Sequence, residues 1–260
     1  MSQMTNMTNV NNPIFKFEII SIEDEIELVT EILYDAIINK SQFSSMLYEK
    51  YPRLIDSIDI SMNIHQIREN VSIAILESYH DNIEYILQKI AQFEKEWEAV
   101  GDDLLNKLTT DMKSGFKIGS VITVKVGNAP LCPRWIEELS FYVPSYIDNF
   151  NLIAIHECCH FLFFYKYELL FGKCKKEEYD YPSNLWLLSE ILIDPILNND
   201  FYINIVGEEI KSYDYLYDIV IDGTNLVECI REILREESKP EKYILQCMEF
   251  IKSKLNHDNY

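Results

Sequence analysis

Glycine is scarce in this sequence: 7 residues in 260, and none before Gly101. A chain so short of the residue that tolerates left-handed backbone makes few tight turns, which argues against an architecture of many short strands and hairpins. No run of about 18 apolar residues occurs, so no membrane-spanning helix is expected. Positive charge is also under-represented, with 23 Lys and Arg against 43 Asp and Glu, a formal net charge of −20. Such a chain repels phosphate backbones and anionic lipid, so neither nucleic acid nor membrane is an expected partner, and a basic peptide is an easier ligand. The plainer reading of the charge is solubility. The six cysteines (Cys132, Cys158, Cys159, Cys174, Cys229 and Cys247) show no paired spacing. Cys158 and Cys159, adjacent in a helical run, cannot readily bond each other. Reduced thiols and a cytoplasmic location are expected. Residues 1–12, rich in Asn, Thr and Met, lack the basic start and apolar stretch of a signal peptide and read as a disordered tail.

What is present is length and helical periodicity. Hydrophobic residues make up 48% and charged residues 25%, an ordinary composition for a globular chain that can bury a proper core. Residues 14–20 alternate as a short strand. Ser21 with Asp24 marks a helix start, and the helix runs to about Lys40. After a break at Pro52, residues 61–100 have apolar positions at three- and four-residue steps. They form one long helix, or two parted at His80-Asp81-Asn82, with Gly101 as the stop. Beyond Lys113 the character changes: residues 121–126 place Ile122, Val124 and Val126 on one face of a strand, and 139–143 read as a second strand ended by Pro144. Strong helices follow at about 149–171 and 184–194. Residues 207–256 are helical again, broken near Gly223 and Pro240. The expected fold class is α+β, predominantly helical with a small sheet. The expected division is a tail (1–12), an N-terminal helical region (13–113) and a C-terminal region (114–260) that holds the chemistry.

That chemistry centres on Ile155-His156-Glu157-Cys158-Cys159-His160, an H-E-x-x-H pattern. On a helix each residue turns about 100°, so His156 and His160 lie one turn apart on one face, where both imidazoles can meet one tetrahedral ion. Glu157 falls on the flank of that face, placed to act as a general base toward a water at the ion rather than as a ligand. Around the pattern, residues 152–165 are apolar on nearly every side, so the helix should be buried. A buried Glu between two His calls for a compensating charge, which a dication supplies. The plain alternative is a pair of hydrogen-bonded core histidines with one satisfied Glu.

A zinc site needs a third protein ligand. The apolar segment 186–194, capped by Ser183 or Asn184, carries Glu190 and Asp194 at i and i+4. Glu190 as third ligand, with Asp194 accepting from a ligand-histidine N–H, would account for both buried acids. Pro195 disfavours continued helix just after them. Cys159, on the opposite flank from Glu157, is a competing ligand, an oxidisable switch or simply a small buried hydrophobe, and the last is the favoured reading. His65 and His80 read as surface or packing residues.

The set His156-Glu157-x-x-His160 with Glu190-x-x-x-Asp194 resembles the gluzincin, or thermolysin-like, zinc metallopeptidases, over about residues 150–195. The resemblance implies a zincin-like catalytic core with Zn2+ held by His156, His160 and Glu190. It makes Glu157 the residue that activates water, and Asp194 the residue that orients a ligand His. It also implies an oxyanion donor beyond the ligand Glu: Tyr215 is the choice among Tyr213, Tyr215 and Tyr217, with His257 more remote. An upstream strand would pair with substrate backbone, 121–126 first and 139–143 second, and the N-terminal helices would wall the cleft. The segment 172–183, with Tyr179 and Tyr181, would rim it. The expected activity is hydrolysis of a peptide bond in a peptide or protein substrate. The alternatives are a zinc hydrolase acting on a non-peptide substrate, and a non-catalytic binding protein with a zincin fold. The intact Glu157 argues against the second, since binding alone needs no water-activating base.

Overall fold

The computed structural model of the chain describes residues 12–39 and 43–255, so the expected tail falls almost wholly outside the described residues, as does His257. The fold is α+β and predominantly helical, with one small mixed sheet and a two-stranded hairpin among the described residues. No helix among them is long and apolar enough to cross a membrane.

The chain forms two compact units, each entered more than once. Among the described residues, one gathers 12–14, Glu98–Val121 and 151–255; the other holds those of Phe15–Trp97 and Ile122–Phe150. The units therefore cut across the sequence ranges 13–113 and 114–260, because a strand near residue 125 pairs with one near residue 17.

The sheet unit begins with β1 (Ile14–Ile19), followed by α1 (Ile22–Asn39), whose first turn is capped where Ser21 Oγ accepts from the Asp24 N–H at 3.0 Å. Two short helices follow, α2 (Phe43–Lys50) and α3 (Arg53–Ser57), either side of Pro52. The strands β2 (Val121–Gly127), β3 (Arg134–Trp135) and β4 (Ser140–Pro144) complete a sheet of order β1-β2-β4-β3. β2 and β4 run parallel, with Val124 opposite Phe141. Ile122, Val124 and Val126 are fully buried, as their alternation predicts. The strand order corrects one expectation. β2 has β1 on one side and β4 on the other, so the first-choice strand offers no open edge for a substrate backbone, while β4 is covered on its far side by β3 at Ser140 and Phe141.

The buried carboxylate of Glu25 ties this unit together. Its Oε1 accepts from the N–H of Asn128 and Ala129 at 2.8 and 2.9 Å and from the Tyr142 hydroxyl at 3.0 Å. Charge-assisted bonds from backbone donors hold an acid in an apolar interior that would otherwise reject it. Leu33, Leu47, Leu54, Val71 and Tyr142 pack in the same cluster.

α4 (Ile64–Asp111) is one continuous helix of 48 residues. It passes without a break through His80-Asp81-Asn82 and through Gly101, which was expected to end it. A glycine costs a helix roughly 1 kcal/mol, and the buried Leu104, Leu105 and Leu108 in the following turns outweigh that.

The helical unit holds α5 (Phe150–Phe171) and α6 (Asn184–Leu197), then α7 (Asp200–Val206) and α8 (Asp214–Asp218). The hairpin β5 (Val220–Ile221) and β6 (Thr224–Asn225) leads to α9 (Leu226–Glu236) and α10 (Pro240–Lys254). The break near Gly223 is this hairpin: Asp222 and Gly223 both have positive φ, 51° and 91°, the pairing a two-residue turn requires. α6 runs through Pro195 to Leu197, against expectation. Proline removes the N–H that would bond the Ile191 carbonyl. The Ser212 hydroxyl fills that place, lying 3.1 Å from the Ile191 oxygen and 2.9 Å from the Glu190 oxygen.

Candidate metal centre

α5 is apolar around its whole circumference, and from Ala154 to Phe164 it is buried except at His156. Such a helix has no solvent face on which to leave a charge. His156 is the partly open position, its side chain 23% exposed, whereas the side chains of His160 and Glu157 are 0% and 5% exposed.

α6 supplies the third donor. Ser183 caps it, its hydroxyl accepting from the N–H of Leu185 and Trp186 at 3.0 and 3.2 Å. This fixes the start of a helix buried at nearly every position from Leu185 to Leu197 and carries Glu190, 1% exposed, toward the α5 histidines.

Three ligand atoms converge there. The Nε2 atoms of His156 and His160 are 3.0 Å apart, and Glu190 Oε2 lies 3.9 Å from the first and 3.5 Å from the second. Donors placed 2.0–2.1 Å from a tetrahedral zinc stand about 3.3 Å from one another. The observed separations bracket that value, and one ligand atom from each of the three residues lies within 4.8 Å of the others. Two imidazole Nε2 atoms this close either share a proton or flank a cation, and a buried carboxylate beside them favours positive charge. The residues fit a small divalent ion. Glu157 Oε1 stands 4.0 Å from His156 Nε2, at the edge of the group.

Asp194, 2% exposed, sits one turn after Glu190. The Tyr217 hydroxyl donates to its Oδ2 at 2.5 Å and Asn198 Nδ2 at 3.2 Å, while Arg231 of α9 forms an ion pair with Oδ1. Asp194 therefore bonds Tyr217, Asn198 and Arg231 rather than accepting from a ligand-histidine N–H as expected, and Tyr217, one of the oxyanion candidates, spends its hydroxyl on it. Arg231 and Ser212 were not anticipated. Arg231 lies 37 residues from Asp194 in sequence, and no spacing rule joins them.

Tyr215 lies 41% exposed on α8. Burial, then the negative charge of Glu190, pushes its pKa up to about 12. Tyr179 is buried and donates to Glu168 at 2.7 Å, a structural role, whereas Tyr181 is exposed and packs edge-on against Trp186. Cys159 is not one of the three grouped donors. It is 1% exposed, with its Sγ 3.9 Å from Met112 Sδ, as a small buried hydrophobe would be. Burial holds the Cys158 thiol far above its ordinary range, with the neighbouring Glu157 charge adding to the effect. No disulfide forms among the described residues, and His65 and His80 are exposed.

No known protein family, no curated protein and no solved structure matches this chain.

Proposed function

We propose that this chain is a zinc-dependent metallopeptidase of gluzincin type, with a zincin-like core built on α5 and α6. The observation that carries the reading is the convergence of His156, His160 and Glu190 in a buried setting with Glu157 at its edge. A nitrogen, nitrogen, oxygen donor set favours zinc over harder or softer metals. When bound, such an ion polarises a carbonyl and brings the pKa of water toward about 7. Glu157 takes the proton from the attacking water and returns it to the leaving amine. Tyr215 donates to the oxyanion, and Asp194 holds the α6 end of the site in register. The substrate is a peptide or protein, and the cysteine spacing supports a reducing, cytoplasmic setting.

The test begins with metal content of the purified, untagged protein beside its Glu190→Ala variant. About one zinc per chain is expected, reduced in the variant. Glu157→Gln should keep the zinc and lose roughly 10²–10⁴-fold of peptide hydrolysis. A wild-type protein that takes up no zinc when supplied with it, or a Glu157→Gln variant with undiminished activity, overturns the proposal.

A further inference from the structure

Four aromatic side chains form a continuous ladder beside the amino-terminal half of α6. Tyr181 meets Trp186 edge-on at 5.4 Å, Trp186 lies 6.4 Å from Tyr213, and Tyr213 stacks on Tyr215 at 5.8 Å. Rings of this size ordinarily close a core, yet Tyr181, Tyr213 and Tyr215 are 58%, 51% and 41% exposed. A contiguous row of exposed aromatic surface marks a place where something binds.

Two links tie the ladder to the metal donors. Trp186 precedes Glu190 by four residues on α6, so both project from one face. Ser212, next in sequence to Tyr213, donates to the Glu190 main-chain oxygen at 2.9 Å. Whatever lies on the rings therefore lies beside the site.

Charge selects among occupants. Residues 172–218 contain ten acids and four bases, Lys173, Lys175, Lys176 and Lys211, the last already bonded to Glu209 at 2.6 Å; of the acids, Glu190 and Asp194 are buried and the second is paired with Arg231. Asp180 adjoins Tyr181 and Asp214 lies between Tyr213 and Tyr215, and both are exposed. Aromatic faces carry negative potential and attract ammonium and guanidinium groups, while the stems of Lys and Arg cover the ring carbons. An acidic side chain meets repulsion here, and a neutral aromatic one gains stacking but nothing from the two aspartates.

We infer that the substrate is a polypeptide bearing a Lys or Arg next to the scissile bond, its cation seated on the Tyr181–Trp186–Tyr213–Tyr215 ladder between Asp180 and Asp214. This inference rests on the metallopeptidase reading above. It names the substrate class that reading leaves open.

The test uses the zinc-loaded full chain and quenched fluorescent peptides identical except for Lys, Leu, Phe or Glu beside the cleavable bond. Binding of the Lys and Glu peptides to Glu157→Gln is followed in parallel by anisotropy. The Lys peptide should exceed the Leu peptide by about tenfold in kcat/KM, mainly through KM, with the ratio shrinking at high salt. Tyr213→Leu or Asp214→Asn should bring that ratio toward one, while Tyr213→Phe, which keeps the ring and removes the hydroxyl, should preserve it. Hydrolysis with no charge preference, or with the Phe peptide favoured, overturns this inference and leaves the peptidase reading standing. Failure to cleave any peptide, together with selective Lys-peptide binding that Tyr213→Leu abolishes, keeps the cation site and overturns the peptidase reading. Absence of both hydrolysis and selective binding overturns both.

Discussion

Asp194 shows how one side chain depends on partners remote in sequence. Its carboxylate is almost wholly buried, and it receives Tyr217 from α8, Asn198 from its own helix end and Arg231 from α9. Removing one member of such a set leaves a charge in a low-dielectric interior, which costs more than the pair contributes. Arg231→Ala should therefore lower stability by about 2–4 kcal/mol. Because Glu190 lies one turn earlier on the same helix, zinc affinity should weaken as well, by about tenfold. Denaturant titration and chelator competition measure the two effects separately. Unchanged zinc affinity in a folded Arg231→Ala protein would remove Asp194 from any role in holding the site.

At the scale of elements, β2 shows how close packing selects a residue. A Cβ on Gly127 would come within 2.6 Å of the Tyr142 hydroxyl and 2.7 Å of Ile20 Cγ2. Neither neighbour is free to give way, since Tyr142 is held by Glu25 and the Ile20 side chain is buried in the core cluster. Gly127→Ala should destabilise the protein by about 1–3 kcal/mol, the usual range for overpacking a filled core. Thermal unfolding gives the answer, and a melting temperature equal to wild type would mean that β2 and β4 can separate without cost. α6 offers the complementary case, in which the Ser212 hydroxyl, shared between the Glu190 and Ile191 oxygens, supplies from outside a donor in place of the one that Pro195 takes from within.

For the molecule as a whole, the buried tyrosines set the alkaline limit. Burial raises the pKa of Tyr51, Tyr142 and Tyr202, and Glu25 for the first two and Asp111 for the third push in the same direction. A group whose folded pKa lies above its unfolded value binds its proton more tightly in the folded state. Its contribution is fully present below the unfolded value, about 10, and is lost as pH rises through the folded one. Each of the three should therefore remove about 1.4 kcal/mol of stability per pH unit above pH 10. Denaturant midpoints measured from pH 8 to pH 11 check this, and a flat profile across that range would mean the hydroxyls reach water.

The sequence by itself located most of the elements and singled out His156, His160 and Glu190, the three side chains that the fold brings together. Periodicity located β1, β2, β4 and most helices because the core is buried with helical and alternating repeats, and the four-residue spacing of His156 and His160 implies a shared face wherever that segment is helical. Burial of Glu190 and Asp194 was legible too, since apolar neighbours surround both. Other features depended on contacts between distant segments, which local pattern does not encode. The continuity of α4 through Gly101, and of α6 through Pro195, came from packing and from Ser212, which outweighed local propensity. The occupied edges of β2 came from strand order, and the Arg231–Asp194 pair from two helices meeting far apart along the chain. Tertiary structure alone could also set the distances between His156, His160 and Glu190, because Glu190 reaches the histidines from another helix, and only packing fixes how closely two helices approach.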